Sequence, residues 1–162
     1  MELDKPALIR ALCAQLEAEI ARATESAART REGATHEEAR PENDKDTRAL
    51  EASYLARGQA QRVVDLQVAL KQVKFMELRA FGDDDAIDVS ALVELEAGTQ
   101  ARWYFIAPAG GGNKLQLGAA AIDVLTPQAP LGRALMGRCV GDEVVLAGAP
   151  GRQREWTIAQ VL

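Results

Sequence analysis

The stretch from Thr126 to Val144 reads TPQAPLGRALMGRCVGDEV, and its punctuation can be followed residue by residue. Pro130 stands where a helix begins, at a position whose amide needs no partner. Leu131, Ala134 and Leu135 then form one apolar face. Gly137 ends the helix where a left-handed residue is wanted. Gly141-Asp142 supplies a tight turn that reverses the chain into the strand-like run Glu143 to Leu146. The stretch therefore predicts one short helix, Pro130 to Met136, set among strands.

On both sides of it lie further short runs rich in Val, Ile and aromatic residues, separated by Gly, Pro and Asn. They are Ile87 to Leu95, Arg102 to Ala107, Lys114 to Leu117 and Glu155 to Val161. Glu96-Ala97-Gly98-Thr99 suits a hairpin turn. Gly110-Gly111-Gly112-Asn113 suits a looser one; it lacks the Gly-Lys-Ser/Thr ending of a phosphate loop, and no helix follows it. The charged break Gly82-Asp83-Asp84-Asp85 marks where this texture starts.

Before that break the chain reads as helix. Asp4 can cap the first turn and Pro6 is tolerated within it. Ile9, Leu12, Leu16, Ile20, Ala23 and Ala27 make one apolar stripe that fades near Arg31 and Gly33. In the second helix Ala49, Ala52, Ala56, Gln59, Val63, Leu66, Leu70 and Val73 alternate steps of three and four, a heptad seam. Gly58 interrupts that helix at a cost of about 1 kcal/mol relative to alanine, which a close approach of the two helices would explain. The link between them spans Gly33 to Asn43. Two matched seams joined by one link predict an antiparallel hairpin, which buries little surface for its length and is suited to reaching something.

Composition narrows the function. Hydrophobic residues make up 48% of the 162 and aromatics only 4%, so the core is mostly aliphatic. A net charge of −5 and no basic run argue against a direct grip on phosphate backbones. Cys13 and Cys139 are far apart and read as inert buried thiols, which fits a reducing, cytoplasmic setting. No signal peptide and no membrane span are expected. The lone His36, in the link, is given no role.

From Thr126 to Val144 the string resembles the C-terminal domain of the Gre transcript-cleavage factors. There a strand ends in a Ser- or Thr-Pro turn, a Pro-Leu-Gly-Arg-Ala-Leu-type helix follows, and a Val-Gly-Asp turn leads into the next strand. Glu42-Asn43 stands where that family carries a Glu-Asn pair at a hairpin tip, and Tyr54-Leu55-Ala56-Arg57-Gly58-Gln59 is similar to its second helix. The resemblance implies an α + (α+β) chain: an N-terminal antiparallel coiled-coil hairpin over residues 1–81, then an FKBP-like antiparallel sheet domain with one short helix over 82–162. It implies RNA polymerase as partner, with the hairpin passing through the secondary channel. Pro130, Leu131, Gly132 and Arg133 are the expected docking residues. Tip carboxylates, Glu42, Asp44 and Asp46 with Glu37 and Glu38 next, would act in the polymerase active centre, and Glu42 and Asp44 would share a magnesium ion there. The family's aspartate three residues before the glutamate is Ala39 here. The chain would be a monomer with no catalytic residue and no cofactor of its own, bound stably to neither nucleic acid nor membrane.

Three other readings follow from the same residues. The hairpin could occupy the channel as a competitor without stimulating cleavage. The small domain could be a prolyl isomerase, with Trp103, Tyr104, Phe105 and Trp156 as pocket candidates, although alternation sends Trp103 and Phe105 to one face and Tyr104 to the other. The hairpin could also be a dimerising coiled-coil adaptor.

Overall fold

The computed structural model describes residues 4–37, 47–147 and 153–162. Helix α1 (Lys5–Glu37) and helix α2 (Thr47–Lys74) pair along the predicted seams. In α2, Ala52, Ala56, Gln59, Val63, Leu66 and Leu70 are half-buried and Val73 is buried, while the residues immediately beside most of them are exposed. Among the described residues of α1 the buried ones are Leu8, Leu12 and Leu16, all in its first half. The helix does not fade at Gly33 but runs on to Glu37. A glycine costs about 1 kcal/mol inside a helix, and adding residues to an existing helix is far easier than starting one. Asp4 precedes α1, and its carbonyl accepts the Leu8 N–H at 3.2 Å. Its carboxylate turns to Arg10 at 3.3 Å.

Gly58 is not where the helices touch. A β-carbon added there would meet nothing within 4 Å. The residue faces away from α1, and close approach is not its explanation.

The second half is one six-stranded sheet in the order β3-β4-β2-β1-β6-β5. Its strands are β1 (Leu92–Ala97), β2 (Gln100–Ile106), β3 (Lys114–Leu117), β4 (Ala120–Leu125), β5 (Glu143–Ala147) and β6 (Gln153–Val161), with helix α3 (Pro130–Leu135) between β4 and β5. Gly98-Thr99 makes the tight β1–β2 hairpin, with Gly98 at φ 62 and Ala97 opposite Gln100. The sheet is antiparallel except between β2 and β4, next to its β3 edge, which run parallel with Trp103 opposite Ile122. That pair corrects the all-antiparallel expectation, and it needs the β3 excursion to bring the chain back in the same direction. β4 carries little strand signal in its composition because it opens on alanines, which are poor strand formers. The expected first strand begins late: Ile87 to Ala91 is a turn region in which Ser90 takes φ 76.

Both faces of the sheet are covered. One packs Val93, Leu95, Tyr104, Ile106, Trp156 and Ile158 beneath α3, with Phe81 and Leu135. The other packs Leu92, Phe105, Leu115, Ile122 and Val124 against Leu8, Leu12, Leu16 and Val73 at the root of the helical pair. The hairpin is thus seated on the sheet at its open end. Leu12 fills the concavity of the glycine loop, where a β-carbon on Gly110 would lie 3.1 Å from Leu12 Cδ1. Gly110 leaves that space to the leucine, whereas Gly111 lies against Thr126.

Candidate functional site: a seated helical arm

The contacts between arm and sheet end near Glu19 and Arg62, which line a groove with Gly110, Gly111 and Asn113. Glu37 lies eighteen residues beyond Glu19, so at about 1.5 Å per residue the arm extends roughly 27 Å past its seat. Along this distal part the facing side chains are small and half-buried: Ala23 and Ala27 of α1, Ala52 and Ala56 of α2. Alanine lets the two backbones approach and keeps the rod thin. Gln59 Nε2 crosses between the helices and donates to Ser26 Oγ at 3.4 Å. The Gln59 Oε1 is buried with no partner among the described residues.

The orientation of the arm is fixed by a clasp at its root. The Arg79 backbone N–H donates to Ser90 Oγ at 2.9 Å. The Arg79 guanidinium pairs with Asp88 at 3.1 Å. Lys5 Nζ, on the first turn of α1, donates to the Arg79 carbonyl at 2.6 Å. Both cations lie over the Phe81 ring, Lys5 at 4.8 Å and Arg79 at 5.0 Å from its centre. Burial, and then the charge of Arg79, hold the Lys5 ammonium down to about 8. Ser90 is itself fully buried, and its left-handed backbone is set by the Ser90 N–H bond to the Ile106 carbonyl at 2.8 Å. A serine held at positive φ is the strained kind of residue that tertiary contacts must enforce. None of these clasp residues stands out in the sequence; only the fold brings them together.

Of the expected tip carboxylates, Glu37 is the last residue of α1. Glu38, Glu42, Asp44 and Asp46 lie outside the described residues, as does the side chain of Glu37. Among the described residues, no group of three or more His, Cys, Asp or Glu side chains is placed to hold a metal ion. The expected ligands Glu42 and Asp44 are not among them.

The expected docking residues divide into two kinds. Gly132 is buried, and a β-carbon there would come within 2.0 Å of the Thr126 carbonyl oxygen. Leu131 packs into the core under α3. These two make the fold. Pro130 and Arg133 are exposed and free to meet a partner. The aromatic candidates for a proline pocket are also divided. Tyr104 and Trp156 are buried on the α3 face. Phe105 and Trp103 pack on the arm face, Phe105 fully buried. Cys13 and Cys139 are free and half-buried. Burial pushes the Cys13 thiol up, with Glu17 adding to it.

No protein-family model matches the chain, and no curated protein matches it. Solved structures do. The structure of the transcription factor Gfh1 is 19% identical over 93% of each chain, with a TM-score of 0.41. GreA factor homolog 1 (Gfh1) of Thermus thermophilus is 18% identical over 93% of this chain and 94% of that one, with a TM-score of 0.40. The prokaryotic transcription elongation factor GreA/GreB from Nitrosomonas europaea is 16% identical over 61% of this chain and 78% of that one, with a TM-score of 0.39.

Proposed function

We propose that this chain is an RNA polymerase-binding factor of the Gre type. In this reading it carries its helical arm into the secondary channel to modulate elongation and is not itself an enzyme. The observation that carries the reading is mechanical: a thin two-helix arm extends roughly 27 Å past its seat at about 1.5 Å rise per residue. It is held by a buried aliphatic root and a polar clasp. A rod fixed at one end suits delivery of its far end to a recessed place. The string Thr126 to Val144, similar to that of Gre factors, supports the same partner. Pro130 and Arg133 are the members of that string with surface to offer it. The division of the aromatics between two packed faces counts against a prolyl isomerase.

Two roles are open to the tip. Glu42 and Asp44 could add carboxylate ligands to a magnesium ion in the polymerase active centre and so stimulate transcript cleavage. Ala39, where Gre factors have an aspartate, favours the other role, a competitor that fills the channel without driving cleavage. The test is a pull-down of polymerase together with a cleavage assay on stalled elongation complexes, using wild type, Glu42→Ala and Asp44→Ala. Tight binding without stimulation identifies the competitor. Stimulation lost in both variants identifies the cleavage role. No polymerase binding by wild type ends the proposal.

A further inference from the structure

Helix α2 carries two heptad seams. The first faces α1. The second runs along the opposite side as Leu50, Tyr54, Arg57, Gln61, Val64, Val68 and Lys71, in steps of four and three, and is continued by Phe75, the residue just after the helix, whose N–H still donates to the Lys71 carbonyl at 3.1 Å. Every one of these residues is exposed. Its apolar members are not scattered: at 3.6 residues per turn Leu50, Tyr54, Val64, Val68 and Phe75 fall within a sector of about 80°. They are 57%, 65%, 49%, 49% and 78% exposed. These five side chains present roughly 500 Å² of apolar surface, toward the top of the about 300–600 Å² that the largest patch on a monomer reaches.

We propose that this face pairs with the same face of a second copy, as an antiparallel coiled coil between two arms. The seam is its own mirror. Laid antiparallel, it sets Leu50 against Phe75 of the other copy, Tyr54 against Lys71, Arg57 against Val68 and Gln61 against Val64, and back again. The two cations within the seam find their counter-charges in the same register. Arg57 comes beside Asp65 of the other copy, three residues before Val68, and Lys71 comes beside Glu51, three residues before Tyr54. Among the described residues Glu51, Arg57 and Lys71 make no ion pair within the chain. The other flanking positions, Ser53, Gly58, Ala60, Gln67, Gln72 and Lys74, set no like charges against each other, Lys74 falling beside Ser53 of the other copy. Two joined faces bury roughly 1,000 Å² from the five apolar side chains alone, and the flanks bring the total to the lower bound of about 1,200 Å² for a stable interface. This inference does not rest on the polymerase reading, and it makes the isolated arm a paired element.

The test is the molar mass of the full chain in solution by sedimentation equilibrium over a wide concentration range. The expected result is a rise from 17.4 kDa toward twice that value. Val68→Glu, at an exposed position, is expected to keep the far-ultraviolet circular dichroism of the wild type and to weaken association by roughly tenfold or more, since a charge is forced into the seam. Val64→Lys is the second variant should Val68→Glu disturb the fold. Arg57→Glu is expected to weaken association and Arg57→Glu with Asp65→Arg to restore it. A wild type that stays at 17.4 kDa throughout overturns the proposal. So does a folded Val68→Glu or Val64→Lys that associates like wild type. A charge swap that fails to restore association overturns the antiparallel register.

Discussion

The root and the far half of the helical arm are the same two helices held in different ways. At the root, Leu8, Leu12, Leu16 and Val73 are buried against a sheet face made by Leu92, Phe105 and Ile122. In the far half, the half-buried seam residues are largely alanines, and Gln59 donates a long hydrogen bond to Ser26 across it. Burying a large aliphatic side chain is worth about 1.5–3 kcal/mol, and an alanine offers only a fraction of that area. The difference teaches that the arm is stable because it is seated. Its far half borrows order from the root through helix continuity, and is the part expected to open first.

The strongest way to break this comparison is Leu12→Ala. It empties the seat between α1 and the glycine loop and is expected to lower stability by about 2–5 kcal/mol, read as a denaturant midpoint. A loss no larger than that of an exposed control such as Arg22→Ala would mean that the root is not seated as described. Next comes the clasp. Ser90→Ala removes the acceptor of the Arg79 N–H and is expected to cost about 1–3 kcal/mol. Backbone hydrogen exchange should show faster opening at residues 76–80, with the core strand β1 little changed.

In the far half the sign reverses. Gly58→Ala meets no neighbour and is expected to stabilise the protein by about 0.5–1 kcal/mol. The gain should appear as slower hydrogen exchange in the distal arm. An unchanged or destabilised arm would show that Gly58 is packed after all. Lys5 is expected to have the smallest effect, because its amine is half exposed and screened by solvent. Its ammonium is held down to about 8 from an ordinary 10.5, so between those values the unfolded chain binds more protons than the folded one. Stability therefore rises with pH across that window. Wild type should gain relative to Lys5→Met from pH 8 to 10.5, followed by thermal melts; a relative loss over that range would contradict the half-buried placement of the amine beside Arg79.

Much of this division is legible in the sequence. The heptad seam of α2 was readable because helix-helix contact imposes a period, and each described member from Ala52 to Val73 is half-buried or buried. The helix after Pro130 was readable because capping and turn chemistry are local. Gly132 could be located but not explained. Only the three-dimensional approach of the Thr126 carbonyl reveals why no side chain fits. The seat on the sheet was not readable either, since Leu8 and Leu12 carry the same signal whether they face another helix or Phe105. The parallel β2–β4 pair and the clasp through Ser90 are likewise non-local. The second seam of α2 was present in the sequence, but Arg57, Gln61 and Lys71 interrupt its hydrophobicity and hide its spacing. The carboxylates of the candidate tip, Glu38, Glu42, Asp44 and Asp46, rest on the sequence resemblance alone.

Small-angle X-ray scattering, extrapolated to zero concentration, tests the projecting arm most directly. A compact chain of this length has a radius of gyration of about 15 Å. The seated arm predicts a clearly larger value and a pair-distance distribution with a long tail. A radius near about 15 Å with a symmetric distribution would mean that the helices fold back on the sheet, and would contradict the account.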